Sequence, residues 1–209
     1  MPRILVSGFE PFASVSINPS GDCVASLRAE GVGGPETAWT VLPVTWSGAA
    51  RVLMARADRI EARGCLMFGV SSGTQCLRVE RTAYNLAASR LGDNAGVLLP
   101  GEALRRGGPT AMRAEGLDAA DLTKAVRRGG GQVELSDDPG RYVCNALYYT
   151  MLSAERPWSP YCVFVHVPPV ERGADLGPLR DAIRQMVEAY RTVLGATLGE
   201  TPTEGDRGR

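Results

Sequence analysis

The sequence predicts an α/β fold, a three-layer αβα sandwich in which helices cover both faces of a mostly parallel, twisted sheet. Apolar runs of strand length alternate with segments of helix length along the 209 residues, which is the order that produces a parallel sheet. The runs at 65–70 and 162–167 are continuously apolar, as expected of strands buried on both faces. Residues 1–198 are predicted to form a single domain, and the polar tail 199–209 is expected to be disordered.

The first half of the chain is predicted to contain three strands joined by two helices. The strands are expected at 4–7, 38–44 and 65–70. Asn18 can cap a helix that has Pro19 at its first position and ends at about residue 30. Ser47 can cap a second helix to about residue 62, which Gly64 ends.

The second half contains a long loop among its strands and helices. Strand-forming residues occupy 79–86, whereas 87–114 is rich in Gly, Pro and Asn and is expected to be mostly loop that lies over the site. Asp118 can cap a helix over 119–128, which three glycines stop. The other predicted elements are strands at 132–135 and 162–167 and a helix at about 179–194.

Composition and charge exclude several classes of function. The 23 basic and 23 acidic residues give a formal net charge of zero, so no nucleic-acid partner is expected. No apolar run approaches the ~20 residues that span a bilayer, and the N-terminal run is too short for a signal peptide. Five widely spaced cysteines without a C-x-x-C motif indicate reduced thiols and a cytoplasmic protein. A single histidine argues against a histidine-based metal cluster, and no cofactor is expected.

Cys144 is the candidate nucleophile. A turn at Pro139-Gly140 precedes it and apolar residues at helical spacing follow it, so Cys144 is expected at or just before the first turn of a helix. There the free backbone N–H groups and the positive end of the macrodipole favour an anion, which lowers the pKa of a thiol. The alternative is a small buried hydrophobic residue, the usual role of cysteine.

Other candidates converge on the same edge of the predicted sheet. In open α/β sheets, sites gather at the carboxyl ends of the strands. Phe9 and Phe12 follow the first strand. The loop 71–74 follows the third strand, and His166 lies at the end of a later one. A lone histidine in that position can also be a core residue whose hydrogen bonds are satisfied.

His166 and Glu80 are candidates to complete a cysteine-hydrolase site with Cys144. Such a site needs an imidazole that holds and returns a proton, and a third group that orients the imidazole. Glu80 lies among strand-forming residues, in the semi-apolar setting that the third group prefers. The alternative is that Glu80 pairs with Arg81 or another arginine on a solvated edge.

Together, four segments resemble one family, the pyroglutamyl peptidases type I, also called pyrrolidone carboxyl peptidases. They span about residues 3–195 and comprise ILVSGFEPF at 4–12 with INPS at 17–20, ERTAYN at 80–85 with Arg90 and DNAG at 93–96, GRYVCN at 140–145, and FVHVP at 164–168. The resemblance implies a cysteine peptidase that removes an N-terminal pyroglutamyl (5-oxoproline) residue through a thioester acyl-enzyme.

The resemblance also implies a role for each matching residue. Cys144 is the implied nucleophile, His166 the general base and acid, and Glu80 the group that orients the imidazole. Arg90 matches the arginine that follows the family's glutamate segment. It is expected to help the Cys144 backbone N–H stabilise the oxyanion.

The implied substrate pocket is an apolar slot for a neutral lactam ring. Phe9 and Phe12 are expected to flank the ring, with Val70, Tyr142 and Val143 as further lining residues. Asn18 is a candidate for a lactam hydrogen bond, although it can serve only as a helix cap. The expected partner is an N-terminally blocked peptide or small amide, with no membrane partner, and because the family often forms homo-oligomers self-association is an open expectation.

Two departures from the family pattern bear on substrate and activity. Val70 stands where the family has a glutamine, and Asp137-Asp138-Pro139 stands where the family has small neutral residues. Carboxylates that faced the thiol would raise its pKa. The alternatives that remain open are a hydrolase of another small cyclic or N-blocked amide and a non-catalytic binding protein of the same fold.

Overall fold

A six-stranded sheet runs through the centre of the computed structural model, which describes residues 3–12 and 17–200. From one edge to the other, and numbered in chain order, its strands are β2 (Thr37–Leu42), β1 (Ile4–Phe9), β3 (Gly64–Val70), β8 (Cys162–Val167), β4 (Leu77–Glu80) and β7 (Val133–Ser136). A separate antiparallel pair is formed by β5 (Ala83–Tyr84) and β6 (Ala111–Met112).

Four strands of the sheet run in one direction and two run in the other. β2, β1, β3 and β8 are mutually parallel. β4 pairs antiparallel with β8, and β7 pairs parallel with β4. The mostly parallel sheet is therefore confirmed. His166 comes near the carboxyl end of its strand as expected, whereas Glu80 is supplied by a strand that runs the opposite way.

The described residues form five α-helices, which cover both faces of the sheet. The first face carries α1 (Pro19–Ala29), α3 (Ala119–Arg128) and α5 (Gly177–Thr197), and the second carries α2 (Gly48–Arg59) and α4 (Val143–Leu152). Single turns of 3₁₀ helix lie at Gly34–Glu36 and Ser159–Tyr161. This is the predicted three-layer αβα sandwich.

Alternate residues of the central strands supply two separate hydrophobic cores. In β8, Val163 and Val165 belong to the core under α1, α3 and α5, whereas Phe164 belongs to the core under α2 and α4. Because side chains along a strand alternate between its two faces, His166 continues the row of Phe164. α4 lies on that face and carries Cys144, so the fold brings both residues to one side of the sheet.

Most predicted elements are confirmed, with differences at their ends. The helix at 119–128 and the strand at 162–167 agree with α3 and β8 residue for residue. Asn18 caps α1, since its side-chain oxygen accepts from the Ser20 N–H at 3.2 Å. Ser47 precedes α2 but makes no side-chain capping bond, so that part of the prediction was wrong.

The strand-forming stretch 79–86 is divided between two sheets. β4 ends at Glu80, and the chain then crosses to α4, where the Asn145 side chain bonds both backbone groups of Tyr84, at 2.8 Å and 2.9 Å. This tertiary hydrogen bonding ends the strand, and no local signal in the sequence announces it. The segment 87–114 is mostly loop, as predicted, with β6 near its end.

None of the described helices combines the length and hydrophobicity that a membrane crossing requires. The single-domain assignment of 1–198 and the disordered tail stay predictions. Residues 201–209 of that tail lie outside the described residues, as do 13–16 of the predicted pocket loop.

Candidate active site

Cys144 is the second residue of α4. The backbone ladder of this helix begins where the Ala146 N–H donates to the Tyr142 carbonyl at 3.1 Å, so the Cys144 N–H comes before the first intrahelical bond. Free N–H groups at a helix start attract negative charge. The thiol is partly exposed and contributes to the walls of two adjoining cavities.

Gly69 places the sulfur beside His166. A Cβ added to Gly69 would lie 2.9 Å from Cys144 Sγ and 2.8 Å from Phe164 Cζ, so only glycine fits at this point of β3. Gly69 and His166 are direct partners in the parallel pairing of β3 with β8. The thiol and the imidazole thus face one cavity, which both of them line.

His166 is bound to Glu80 by a short hydrogen bond. Nδ1 of His166 lies 2.7 Å from Oε1 of Glu80, and both side chains are buried, at 4% and 0% exposure. A carboxylate only accepts hydrogen bonds, so the proton of the neutral imidazole lies on Nδ1 and Nε2 is left as the acceptor. This is the orientation that a general base requires. The solvated-edge alternative for Glu80 was wrong, because the residue is fully buried.

Arg78 is a functional neighbour that the sequence reasoning missed. Its Nε donates to Oε1 of Glu80 at 3.0 Å, on the same oxygen that His166 contacts. Arg78 lies two residues before Glu80 in a strand, so the period of two alone places both side chains on one face. That spacing was the available signal. Tyr148 adds a hydrogen bond from its hydroxyl to the Glu80 backbone oxygen at 3.2 Å.

The thiol does not have the low pKa predicted from the helix start. Burial, reinforced by the negative charge of Glu80, raises the pKa of Cys144 to about 12, against a smaller lowering by its own backbone N–H. Desolvation of the charged form exceeds the attraction of the helix terminus here. Cys144 is therefore a neutral thiol at rest, and it needs a base to become a nucleophile.

A small apolar pocket adjoins the sulfur and encloses about 280 Å³. Its walls include all six residues that were predicted to contact substrate, together with Val44 and the thiol itself: Phe9, Phe12, Asn18, Val70, Tyr142 and Val143. Typical ligand pockets measure ~300–1,000 Å³, so this one suits a single small ring. Val44 was not predicted, since its place at the end of a strand gave no hint of the fold around it.

Aromatic rings form one wall of the pocket. Tyr142 lies 6.0 Å from Phe12 between ring centroids, and Trp46 meets Tyr142 edge-on at 5.2 Å. The Tyr142 hydroxyl donates to the Gly92 carbonyl at 2.9 Å, in the long loop 87–114. The added hydroxyl therefore ties the pocket to that loop while the ring itself remains part of the wall.

Asn18 is buried in the pocket wall and is already committed as a helix cap. Its Oδ1 accepts from the backbone N–H and the hydroxyl of Ser20, and its Nδ2 donates to the Glu10 carbonyl at 3.0 Å. An amide nitrogen has two donors. Within the described part of the chain, the second N–H of Asn18 has no hydrogen-bond partner.

The acidic pair before α4 faces away from the sulfur. Asp137 is held by Arg81, Thr82 and Arg113, and the hydrogen bond from Arg81 is the main reason why the pKa of Asp137 lies well below its usual range. Asp138 is largely exposed and pairs with Arg141. The two carboxylates are neutralised by arginines and, unlike Glu80, contribute nothing to the raised pKa of Cys144.

Arg90 is separated from the other predicted residues. Its side chain is exposed and belongs to neither cavity beside the thiol. The neighbouring Ser89 and Leu91 do line the larger cavity, a groove of about 1,000 Å³ that also contains His166. The structure confirms that the loop 87–114 lies over the site, while a contact between Arg90 and an oxyanion stays a prediction.

Comparison with known proteins places these features in a family. The family model described as pyroglutamyl peptidase matches residues 2–189. A pyrrolidone-carboxylate peptidase of Thermococcus onnurineus is 31% identical over 199 residues, covering 94% of this chain and 98% of the relative. A pyrrolidone-carboxylate peptidase of Clavibacter michiganensis is 32% identical, covering 95% and 93%.

Solved structures give the same result for the backbone. A mutant pyrrolidone carboxyl peptidase from Pyrococcus furiosus superposes with a TM-score of 0.81 at 26% identity, covering 91% of this chain and 99% of that chain. The pyrrolidone carboxyl peptidase from Thermococcus litoralis superposes with a TM-score of 0.83 at 25% identity, covering 94% and 96%. The similarity extends over nearly the whole length of all the chains compared.

Proposed function

This chain belongs to the pyroglutamyl peptidase family, and on that premise we propose that it is a cysteine peptidase that removes an N-terminal pyroglutamyl residue from peptides. The observation that carries the proposal is the arrangement of Cys144, His166 and Glu80 beside one small apolar pocket. Family membership favours this activity over hydrolysis of another blocked amide and over a non-catalytic binding protein.

The first half of the reaction transfers the pyroglutamyl group to sulfur. Nε2 of His166 takes the proton of the Cys144 thiol, and the sulfur attacks the carbonyl carbon of the pyroglutamyl residue. The Cys144 backbone N–H, free at the helix start, donates to the oxyanion of the tetrahedral intermediate. His166 then gives its proton to the departing amine, and the C–N bond breaks to leave a thioester.

The second half of the reaction restores the enzyme. A water molecule gives a proton to Nε2 of His166 and attacks the thioester carbonyl, and the sulfur leaves and regains that proton. The imidazole carries a positive charge twice in each cycle. Glu80, buried at 2.7 Å from Nδ1, stabilises that charge and holds the ring in place.

Selectivity for the lactam follows from the charge it lacks. An ordinary N-terminal residue carries an ammonium group, and moving that charge into an apolar pocket without a partner is costly. Because the pyroglutamyl ring is neutral, Phe9, Phe12 and Val70 can enclose it at no such cost. The second amide N–H of Asn18 is positioned to donate to the ring carbonyl, a contact that suits a pocket with Val70 in place of the family's glutamine.

Hydrolysis of pyroglutamyl naphthylamide tests the proposal. The purified chain should release naphthylamine from this amide and not from prolyl naphthylamide, which has the same ring size but a charged nitrogen. Cys144→Ala should abolish the release, and iodoacetamide should inactivate the native chain. Folded protein that hydrolyses no pyroglutamyl amide would contradict the proposal. A cytoplasmic location and self-association stay predictions.

A further inference from the structure

We propose that Arg78 is a positioning residue for the reaction: its guanidinium shares one oxygen of Glu80 with His166 and thereby sets the pH at which His166 can act as a base. The inference rests on the proposed function for its activity assay. It concerns a residue outside the motifs that identify the family.

Three contacts fix the Arg78 side chain. Nε donates to Glu80 Oε1 at 3.0 Å, Nη2 donates to the Ser71 hydroxyl at 3.1 Å, and Nη1 donates to the Gly73 carbonyl at 3.2 Å. Only 17% of the side chain is exposed. Arg78 therefore connects the buried carboxylate to the loop after β3, part of which lines the groove beside the thiol.

The strand pairing sets Arg78 directly beside His166. The two residues are partners in the antiparallel register of β4 with β8. Both donate to Oε1 of Glu80, while Oε2 is buried without a partner among the described residues. One carboxylate oxygen is thus shared between a permanent cation and an imidazole that must gain and lose a positive charge.

This sharing has a defined electrostatic effect. Glu80 attracts a proton to His166, and the permanent charge of Arg78 opposes that attraction in surroundings where water screens little. The other ionisable groups nearby are Cys144 and Tyr148 from α4, and both are neutral at rest because burial raises their pKa values. Asp138, in the loop before α4, lies near Arg78 and is paired with Arg141.

Removing the charge of Arg78 should make His166 easier to protonate. A protonated His166 accepts no proton from Cys144, so activity falls on the acidic side of the pH profile. The acidic limb of kcat/KM in Arg78→Met should therefore move to higher pH by about one unit, the low end of the ~1–3 units that a neighbouring charge produces. Arg78→Gln, which keeps a polar contact with Glu80, should show the same shift.

Two further variants separate charge from structure. Arg78→Lys keeps the charge and loses the fork that reaches Ser71 and Gly73, so its acidic limb should stay in place even if KM rises. Arg113→Met is the matched control, because Arg113 also pairs with a carboxylate, Asp137, but away from His166. Its profile should match that of the native chain.

The proposal would be overturned by folded Arg78→Met or Arg78→Gln whose limb stays in place, with or without a uniform loss of rate. A limb that moves in Arg78→Lys would equally contradict it. The pH dependence of Cys144 alkylation by iodoacetamide gives the same comparison without a substrate. If the native chain hydrolyses no pyroglutamyl amide, the proposed function fails, while the alkylation profiles still decide the role of Arg78.

Discussion

Gly69→Ala is the substitution that most directly perturbs the geometry of the site. The new methyl carbon would lie 2.9 Å from Cys144 Sγ and 2.8 Å from Phe164 Cζ, far inside normal contact distance. Phe164 has little freedom to yield, because its ring lies 5.0 Å from the His166 ring and 6.0 Å from the Tyr148 ring. The sulfur and the imidazole must therefore both shift.

The expected costs differ for stability and for activity. Overpacking by one methyl group should lower the free energy of unfolding by about 1–3 kcal/mol, which chemical denaturation measures. A shift of ~1 Å between nucleophile and base should lower kcat/KM for pyroglutamyl naphthylamide by about 10²-fold. The loss of activity should thus persist in protein that circular dichroism shows to be folded.

Gly73→Ala provides the control for this experiment. The nearest atom to a Cβ at Gly73 is Nη1 of Arg78 at 3.7 Å, an ordinary contact, so activity and stability should stay close to those of the native chain. The reasoning is refuted if Gly69→Ala is folded and retains native kcat/KM, because the sulfur would then not lie over Gly69 in the working enzyme.

Three further substitutions have expected outcomes. Glu80→Gln removes the charge that stabilises the imidazolium and should lower kcat by about 10²–10⁴-fold in steady-state assays, with little change in KM; native kcat would contradict the assigned role. Tyr142→Phe keeps the ring and loses only the bond to Gly92, so KM should change less than about threefold and stability by about 1 kcal/mol; a large loss of kcat would show that the hydroxyl takes part in the reaction. Asp137→Asn removes a carboxylate whose pKa is lowered in the folded state, so the stabilisation is present above the unfolded value of ~3.9 and is lost as pH falls below it. Denaturation curves should show a loss of up to about 1 kcal/mol at pH 7 that disappears in acid, and a loss that persists in acid would contradict the electrostatic origin.

Local signals in the sequence predicted much of the fold. Asp118 and the three glycines after residue 128 mark both ends of α3, and an apolar run stopped by Pro168 marks β8. In contrast, the direction of β4 depends on its pairing with β8, which is distant in sequence. The end of β4 depends on the side chain of Asn145, which no nearby residue reveals.

The site was predictable where motif and residue type coincide, and obscure where burial decides. Asn18, Val70 and the aromatic residues line the pocket as the resemblance implied. The pKa of Cys144 was predicted in the wrong direction, because desolvation depends on what packs over the sulfur and only the helix start is visible in the sequence. Arg78 was missed because an arginine in a strand usually points to solvent, whereas this one is buried against Glu80.

The central claim is that the Cys144 sulfur carries the pyroglutamyl group during turnover. Rapid acid quenching during hydrolysis of a pyroglutamyl aryl ester, followed by proteolysis and mass spectrometry, tests it directly. The account predicts a pyroglutamyl thioester on the peptide that contains Cys144, absent from Cys144→Ala protein. An acyl group on another residue, or turnover that survives in Cys144→Ala, would contradict it.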